Sequence, residues 1–179
     1  IIFCIMKQII RDNFSILFGS DGYFKLANFI QENNFKKILI LMDENTKVHC
    51  LDLFFSNIKK TDKKIAEMVS STSYYFSVEP GENAKNLKTS NHIWEFLTEN
   101  GFKRNDLIIN LGGGMVSDLG GFVASTYMRG IQFVNIPTTL LGMVDASIGG
   151  KTGIDLNGIK NIIGTCLLYT SPSPRDSNL

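Results

Sequence analysis

Two apolar periods alternate along this chain. Lys37-Ile38-Leu39-Ile40-Leu41-Met42 and Leu107-Ile108-Ile109-Asn110-Leu111 are near-continuous apolar runs with polar flanks. That is the pattern of parallel strands buried on both faces. Lys7-Gln8-Ile9-Ile10, Ser15-Ile16-Leu17-Phe18, Tyr74-Tyr75-Phe76-Ser77-Val78 and residues 132–136 predict further strands. Between them the apolar spacing becomes helical. Helices are predicted over 23–31 (Phe24, Leu26, Phe29, Ile30), 48–58 (Leu51, Leu53, Phe54 and Ile58 inward) and 87–97 (Ile93, Trp94, Phe96). Ser20 or Asp21 is available to cap the first. Strands alternating with helices imply an α/β fold around a parallel sheet. Ligands of such sheets bind beyond the carboxyl ends of the strands, and the turns after Val78, Leu111 and Ile136 fall at such ends.

A length of 179 residues fits one domain with a proper core. The net charge of +1 argues against nucleic acid as a partner, since the only basic blocks are pairs such as Lys59-Lys60 and Lys63-Lys64, read as solvated helix faces. No apolar run reaches the roughly 18–20 residues of a membrane span, so no membrane association is expected. Cys4, Cys50 and Cys166 fit neither a disulfide framework nor a zinc site, and His49 and His92 have no partner at ligand spacing. A reduced, cytoplasmic protein is the expectation. Lys7 to Ile10 already reads as a strand, so Met6 is a plausible initiator and residues 1–5 are expected to be upstream translation. Residues 165–179, with CLLYTSPSPRD at their core, break the α/β rhythm and read as a non-native tail or a Pro/Ser-rich linker. The domain is therefore expected to span 6–164.

The chemistry concentrates in residues 111–164. Gly112-Gly113-Gly114 follows a strand and precedes Asp118. A helix beginning near Met115 would aim its N-terminus at a pyrophosphate, although the spacing is not G-x-G-x-x-G. Asp118 could cap that helix or contact a cofactor. Pro137-Thr138-Thr139 is either a plain turn or a pair of hydroxyls for a ribose or phosphate. Gly149-Gly150-Lys151-Thr152 resembles the end of a Walker A loop, but Asp145 stands where its upstream glycine would be. With Asp145 and Lys160-Asn161 nearby, Lys151 suits phosphate binding. Glu82 and Lys85, three residues apart, read as a helix-start ion pair. These groups suit a phosphorylated nucleotide and a phosphorylated substrate.

Taken together, the ordered motifs GGGMVSDLGGF, Tyr127-Met128-Arg129-Gly130, Ile136-Pro137-Thr138-Thr139-Leu140-Leu141, Val144-Asp145-Ala146-Ser147-Ile148-Gly149-Gly150-Lys151-Thr152, Lys160-Asn161-Ile162-Ile163-Gly164 and Gly81-Glu82-Asn83-Ala84-Lys85 resemble the 3-dehydroquinate synthase family. Ser117 stands where the family pattern has glycine. The resemblance implies a Rossmann-like parallel sheet with flanking helices, the N-terminal NAD-binding half of a fold whose helical C-terminal domain lies past Gly164. It implies NAD contacts from Asp43, Glu82, Lys85, Gly113, Gly114, Met115, Val116, Asp118, Thr138, Thr139, Lys151 and Lys160. It implies substrate contacts and catalysis from Lys151, Asp145 and Asn161. Arg129 would reach the substrate phosphate of a neighbouring subunit in a homodimer. The implied reaction cyclises 3-deoxy-D-arabino-heptulosonate 7-phosphate to 3-dehydroquinate with loss of phosphate, and NAD is used catalytically. A divalent metal, zinc or cobalt, would be held by residues beyond Gly164, so no metal ligand is expected here and the 179-residue chain is expected to be inactive alone. Rival readings are another sugar phosphate cyclase, an NAD- and metal-dependent alcohol or glycerol dehydrogenase, and a standalone nucleotide-binding module.

Overall fold

The computed structural model describes residues 8–11, 14–17, 19–147 and 150–166. The expected upstream segment, the initiator Met6, the strand ends Lys7 and Phe18, Gly149 and residues 167–179 lie outside the described residues.

The chain opens with an antiparallel pair, β1 (Gln8–Arg11) and β2 (Phe14–Leu17), followed by helix α1 (Gly19–Asn33). Strand β3 (Ile38–Asp43) leads into α2 (Glu44–Thr61) and α3 (Lys63–Thr72), and β4 (Ser73–Val78) into α4 (Leu87–Glu99). Strand β5 (Leu107–Gly112) leads into α5 (Gly114–Thr126), and β6 (Gln132–Pro137) into a π-helical turn, Gly142–Ala146. A hairpin of β7 (Lys151–Leu156) and β8 (Ile159–Cys166) closes the described chain.

The four central strands form one parallel sheet in the order β4-β3-β5-β6. Strand side chains alternate between faces, so two continuous apolar strands can feed two cores. Ile38, Ile40 and Met42 of β3, with Leu107, Ile109 and Leu111 of β5, pack under α1, α2 and α3 against Leu26, Ile30, Phe54, Ile58 and Val69. Leu39, Leu41 and Ile108 pack on the opposite face against Ile93 and Leu97 of α4, Leu119 and Val123 of α5, and Ile154 of β7. The expected α/β fold with flanking helices is present.

Two expectations need correction. Helix α1 begins at Gly19, so Ser20 and Asp21 lie inside its first turn, where Asp21 complements the helix dipole rather than capping. Leu53, expected inward, is exposed, because α2 turns Phe54 and Ile58 to the sheet and Leu53 points off that stripe. Helix α3 and the β7–β8 hairpin were not anticipated. The former offers only Ile65, Ala66 and Val69 as buried positions, too short an apolar stripe to stand out. The basic pairs at 59–60 and 63–64 are exposed on α2 and α3, as expected.

Candidate functional site

In the order β4-β3-β5-β6, chain direction across the sheet reverses between β3 and β5. The crevice beyond the carboxyl ends at such a switch point is where open α/β sheets bind ligands. Asp43 ends β3 on one side of it, and Gly112-Gly113 leaves β5 on the other.

Helix α5 starts there. Gly113 is its N-cap and donates no side-chain cap, so the first N–H groups of the helix have no side-chain acceptor from the cap residue. Small size is required around this turn. A Cβ on Gly112 would press on Val116 at 2.5 Å, and one on Gly113 would sit 3.1 Å from the Thr139 methyl. The Thr138 N–H donates to the Gly112 carbonyl at 2.9 Å, which clamps the end of β6 to the turn. Thr139 Oγ1 accepts from the Gly142 N–H at 3.2 Å, so this hydroxyl starts the π-helical turn that carries Asp145. The bare helix start, the glycines and the threonine pair fit a pyrophosphate-bearing dinucleotide such as NAD.

Asp43 is both the end of β3 and the N-cap of α2. Its Oδ1 accepts from the Thr46 N–H at 2.8 Å, and Thr46 Oγ1 accepts from the Asp43 N–H at 3.0 Å. Asp43→Ala is expected to cost about 1 kcal/mol of stability through the lost cap, read as a lower urea midpoint with an unchanged slope.

The second cluster centres on Lys85, which is only 3% exposed. Its Nζ lies 2.7 Å from Glu82 Oε1, 3.3 Å from Asp118 Oδ2 and 3.8 Å from Asp155 Oδ1, and donates to Asn161 Oδ1 at 2.9 Å. The Asp155 N–H donates to the Lys85 carbonyl at 2.8 Å, and the Asn161 N–H donates to Asp155 Oδ1 at 2.8 Å. The cluster therefore ties α5 and the β7–β8 hairpin to the segment between β4 and α4. The expected Glu82–Lys85 pair is present. Asp118 does not cap α5: it lies in the second turn and turns its carboxylate to Lys85.

Burial pushes the Asp118 carboxyl up, Lys85 pulls it partly back, and the charges of Glu82 and Asp145 push it up again. For Lys85, burial acts to lower its affinity for a proton, but Glu82 and Asp118 outweigh it and the net shift is upward. A lysine held protonated in the fold contributes stability that is intact below its unfolded value, about 10.4, and is lost as pH rises through the higher folded value. Denaturation midpoints of the wild type should thus fall more steeply above about pH 10.4 than those of Lys85→Met. Parallel profiles would remove this contribution.

Of the remaining expected residues, Asp145 lies near enough to Asp118 for its charge to act on it. Lys151 and Lys160 are exposed at the start of β7 and in β8, and Asp145 is exposed on the π-helical turn. Arg129 stands apart, because the turn at Tyr127–Arg129 precedes β6 and so lies at the amino end of the sheet. Met128 (φ 50°) and Arg129 (φ 65°) both hold left-handed backbone there, a strained pair. Asp155 and Asn110 were not expected to matter. Asp155 sits 70 residues from Lys85 in sequence, and nothing local marks the pairing. Ser117 is buried, with its Oγ 3.4 Å from that of Ser147, so the departure from glycine is accommodated.

Among the described residues, no three His, Cys, Asp or Glu side chains are grouped to hold a metal ion. The Lys85 cluster does not serve, since its carboxylates already surround an ammonium. Among the described residues, no helix is long and apolar enough to cross a membrane.

A family profile described as 3-dehydroquinate synthase N-terminal matches residues 75–172. The chain is 40% identical over 160 residues to a bifunctional 3-dehydroquinate synthase/phosphatase of Fusobacterium nucleatum, covering 89% of this chain and 22% of that protein. It is 41% identical to a 3-dehydroquinate synthase of Parabacteroides distasonis, covering 79% of this chain and 37% of that protein. The chain thus spans well under half the length of these relatives. A 2-deoxy-scyllo-inosose synthase complexed with carbaglucose-6-phosphate, NAD+ and Co2+ superposes with a TM-score of 0.71 at 22% identity, over 88% of this chain and 41% of that one, which shows the fold. A 2-epi-5-epi-valiolone synthase from Streptomyces hygroscopicus with NAD+ and Zn2+ bound gives a TM-score of 0.59 at 28% identity, over 78% of this chain and 37% of that one.

Proposed function

The chain belongs to the 3-dehydroquinate synthase family, and on that premise we propose that it is the NAD-binding part of a phosphate-eliminating cyclase acting in the cytoplasm on 3-deoxy-D-arabino-heptulosonate 7-phosphate. The observation that carries this reading is the uncapped start of α5 at the sheet's switch point, flanked by Asp43 and by Thr138 and Thr139.

The N–H groups of Gly113, Gly114, Met115 and Val116 would receive the pyrophosphate at the positive end of the helix. Asp43, with one carboxylate oxygen left over from capping, would accept from a ribose hydroxyl. Thr138 and Thr139 would line the same crevice. NAD, when bound, supplies a reversible hydride acceptor. The chain's own contribution is to orient it and to hold charge: Lys151 and Lys160 supply cations for substrate and cofactor phosphates, and Asp145 and Asn161 supply an acceptor and a donor pair for the substrate. Arg129, at the amino end of the sheet, would serve the site of a second copy in a homodimer. The related enzymes carry Co2+ or Zn2+ in their crystals, but the described residues here do not fit such an ion, and no step is assigned to one.

The test is an assay of the chain joined to the C-terminal portion of a relative such as the Parabacteroides distasonis enzyme. Inorganic phosphate should appear from the heptulosonate phosphate with no net NADH. Net NADH would favour a dehydrogenase, and turnover of a hexose phosphate instead would favour a cyclitol-forming cyclase.

A further inference from the structure

We infer that Arg104 is a positioning residue, and that it acts by holding the left-handed turn that presents Arg129. The inference deepens the reading above and rests on it only for what the Arg129 guanidinium meets in a second copy.

The turn between α5 and β6 runs against its own backbone preferences. Met128, Arg129 and Gly130 have consecutive φ values of 50°, 65° and 115°. Only the glycine holds such an angle freely. Two non-glycine residues in succession there persist only where the surroundings over-determine them, and such segments cluster at ligand clamps. Met128 and Arg129 supply little of that hold themselves. Both are exposed, and among the described residues the Arg129 guanidinium has no hydrogen-bond or ion-pair partner. The strain thus secures no polar contact of Arg129 within the described chain. It leaves an unpaired cation on the surface.

The hold comes from the ends of the turn. The Gly130 N–H donates to the Tyr127 carbonyl and the Ile131 N–H to the Ala124 carbonyl, both at 2.9 Å. The loop between α4 and β5 then grips both sides. The buried Tyr127 hydroxyl donates to the Phe102 carbonyl at 3.1 Å, and Arg104 Nε donates to the Gly130 carbonyl at 3.3 Å. One short loop thus fixes the residue before Met128 and the residue after Arg129. The two anchors differ in their surroundings. Tyr127 belongs to the core, whereas Arg104, Asn105, Gly130, Ile131 and Gln132 line an open recess of about 350 Å³. Packing does not close that side, so the Arg104 bond spans from loop to turn there. A guanidinium held in place beforehand meets a phosphate with less ordering left to do.

The first experiment is NMR relaxation on the 15N-labelled full chain. In the wild type the amides of Met128 and Arg129 should be as rigid as those of β5. Arg104→Met removes an exposed group, so the fold should survive it. It should let Met128 and Arg129 move like an open loop while the amide shifts of α5 and β5 stay in place. Arg104→Lys, which keeps a charged donor, should restore most of the rigidity. The second experiment is phosphate release by the chain joined to the C-terminal portion of a relative, as above. Arg129→Ala should raise KM for the heptulosonate phosphate about a hundredfold, the loss of a charge-assisted contact. Arg104→Met should raise it about tenfold with kcat little changed. In the Arg129→Ala background Arg104→Met should add nothing, because the residue it acts through is gone. Unchanged mobility of Met128 and Arg129 in Arg104→Met overturns the inference. A KM effect that adds to that of Arg129→Ala overturns it equally, by making Arg104 a phosphate ligand in its own right. If Arg129→Ala leaves KM unchanged, the reading of Arg129 fails, and the relaxation still decides whether Arg104 holds the turn.

Discussion

Gly120→Leu should lower stability by about 3 kcal/mol, the upper end of the cost of overpacking a filled core. Gly120 lies on the face of α5 that meets β5, and a Cβ there would overlap the amide of Asn110. That amide cannot retreat. Asn110 is fully buried, and its Nδ2 donates to Asn135 Oδ1 at 2.8 Å on the adjacent strand, where the two residues are in register. The Asn110 oxygen has no hydrogen-bond donor of its own among the described residues, so its place against the bare helix backbone is already costly. Against a total stability of roughly 5–15 kcal/mol, the shift in urea midpoint is large. Gly120→Ala paired with Asn110→Ala should recover much of the loss seen for Gly120→Ala alone, because the obstructing amide is gone. An unchanged midpoint for Gly120→Leu would show that α5 does not pack this closely on β5.

Gly114→Asp should weaken NAD+ binding about a hundredfold, or ~2.7 kcal/mol, while leaving the fold intact. The two effects have opposite signs for a physical reason. A carboxylate in the first turn complements the helix dipole and favours folding. The same carboxylate would stand where the pyrophosphate is expected, and its repulsion at partly shielded range is several kcal/mol before screening. Sterics are not the cause, since a Cβ on Gly114 would lie 3.4 Å from that of Ala146, an ordinary contact. Loss of binding together with loss of stability would instead indicate a misplaced helix.

The sheet was legible because β3 and β5 are apolar without interruption, which only a two-faced burial explains, and because glycines and threonines mark where the strands end. The hairpin carried a signal that went unread: Asn157-Gly158, with φ of 51° and 80°, is the two-residue turn that favours right-twisted antiparallel pairs. The glycine-rich context masked it. Of the candidate site, the groups local in sequence, Glu82 with Lys85 and Gly112 to Gly114, could be paired from spacing. The Lys85–Asp118, Lys85–Asn161 and Lys85–Asp155 contacts could not, because they join elements 33 to 76 residues apart and depend on where the hairpin packs. The capping reading of Asp118 failed for a related reason. The helix start lies four residues earlier, at Gly114, and a buried ammonium outcompetes backbone N–H groups for a carboxylate.

The central claim is a dinucleotide site at the start of α5, and calorimetric titration of the full chain with NAD+ tests it most directly. One saturable site is expected, weakened about a hundredfold in Gly114→Asp. No heat of binding at millimolar NAD+, or equal binding by the wild type and Gly114→Asp, would contradict it.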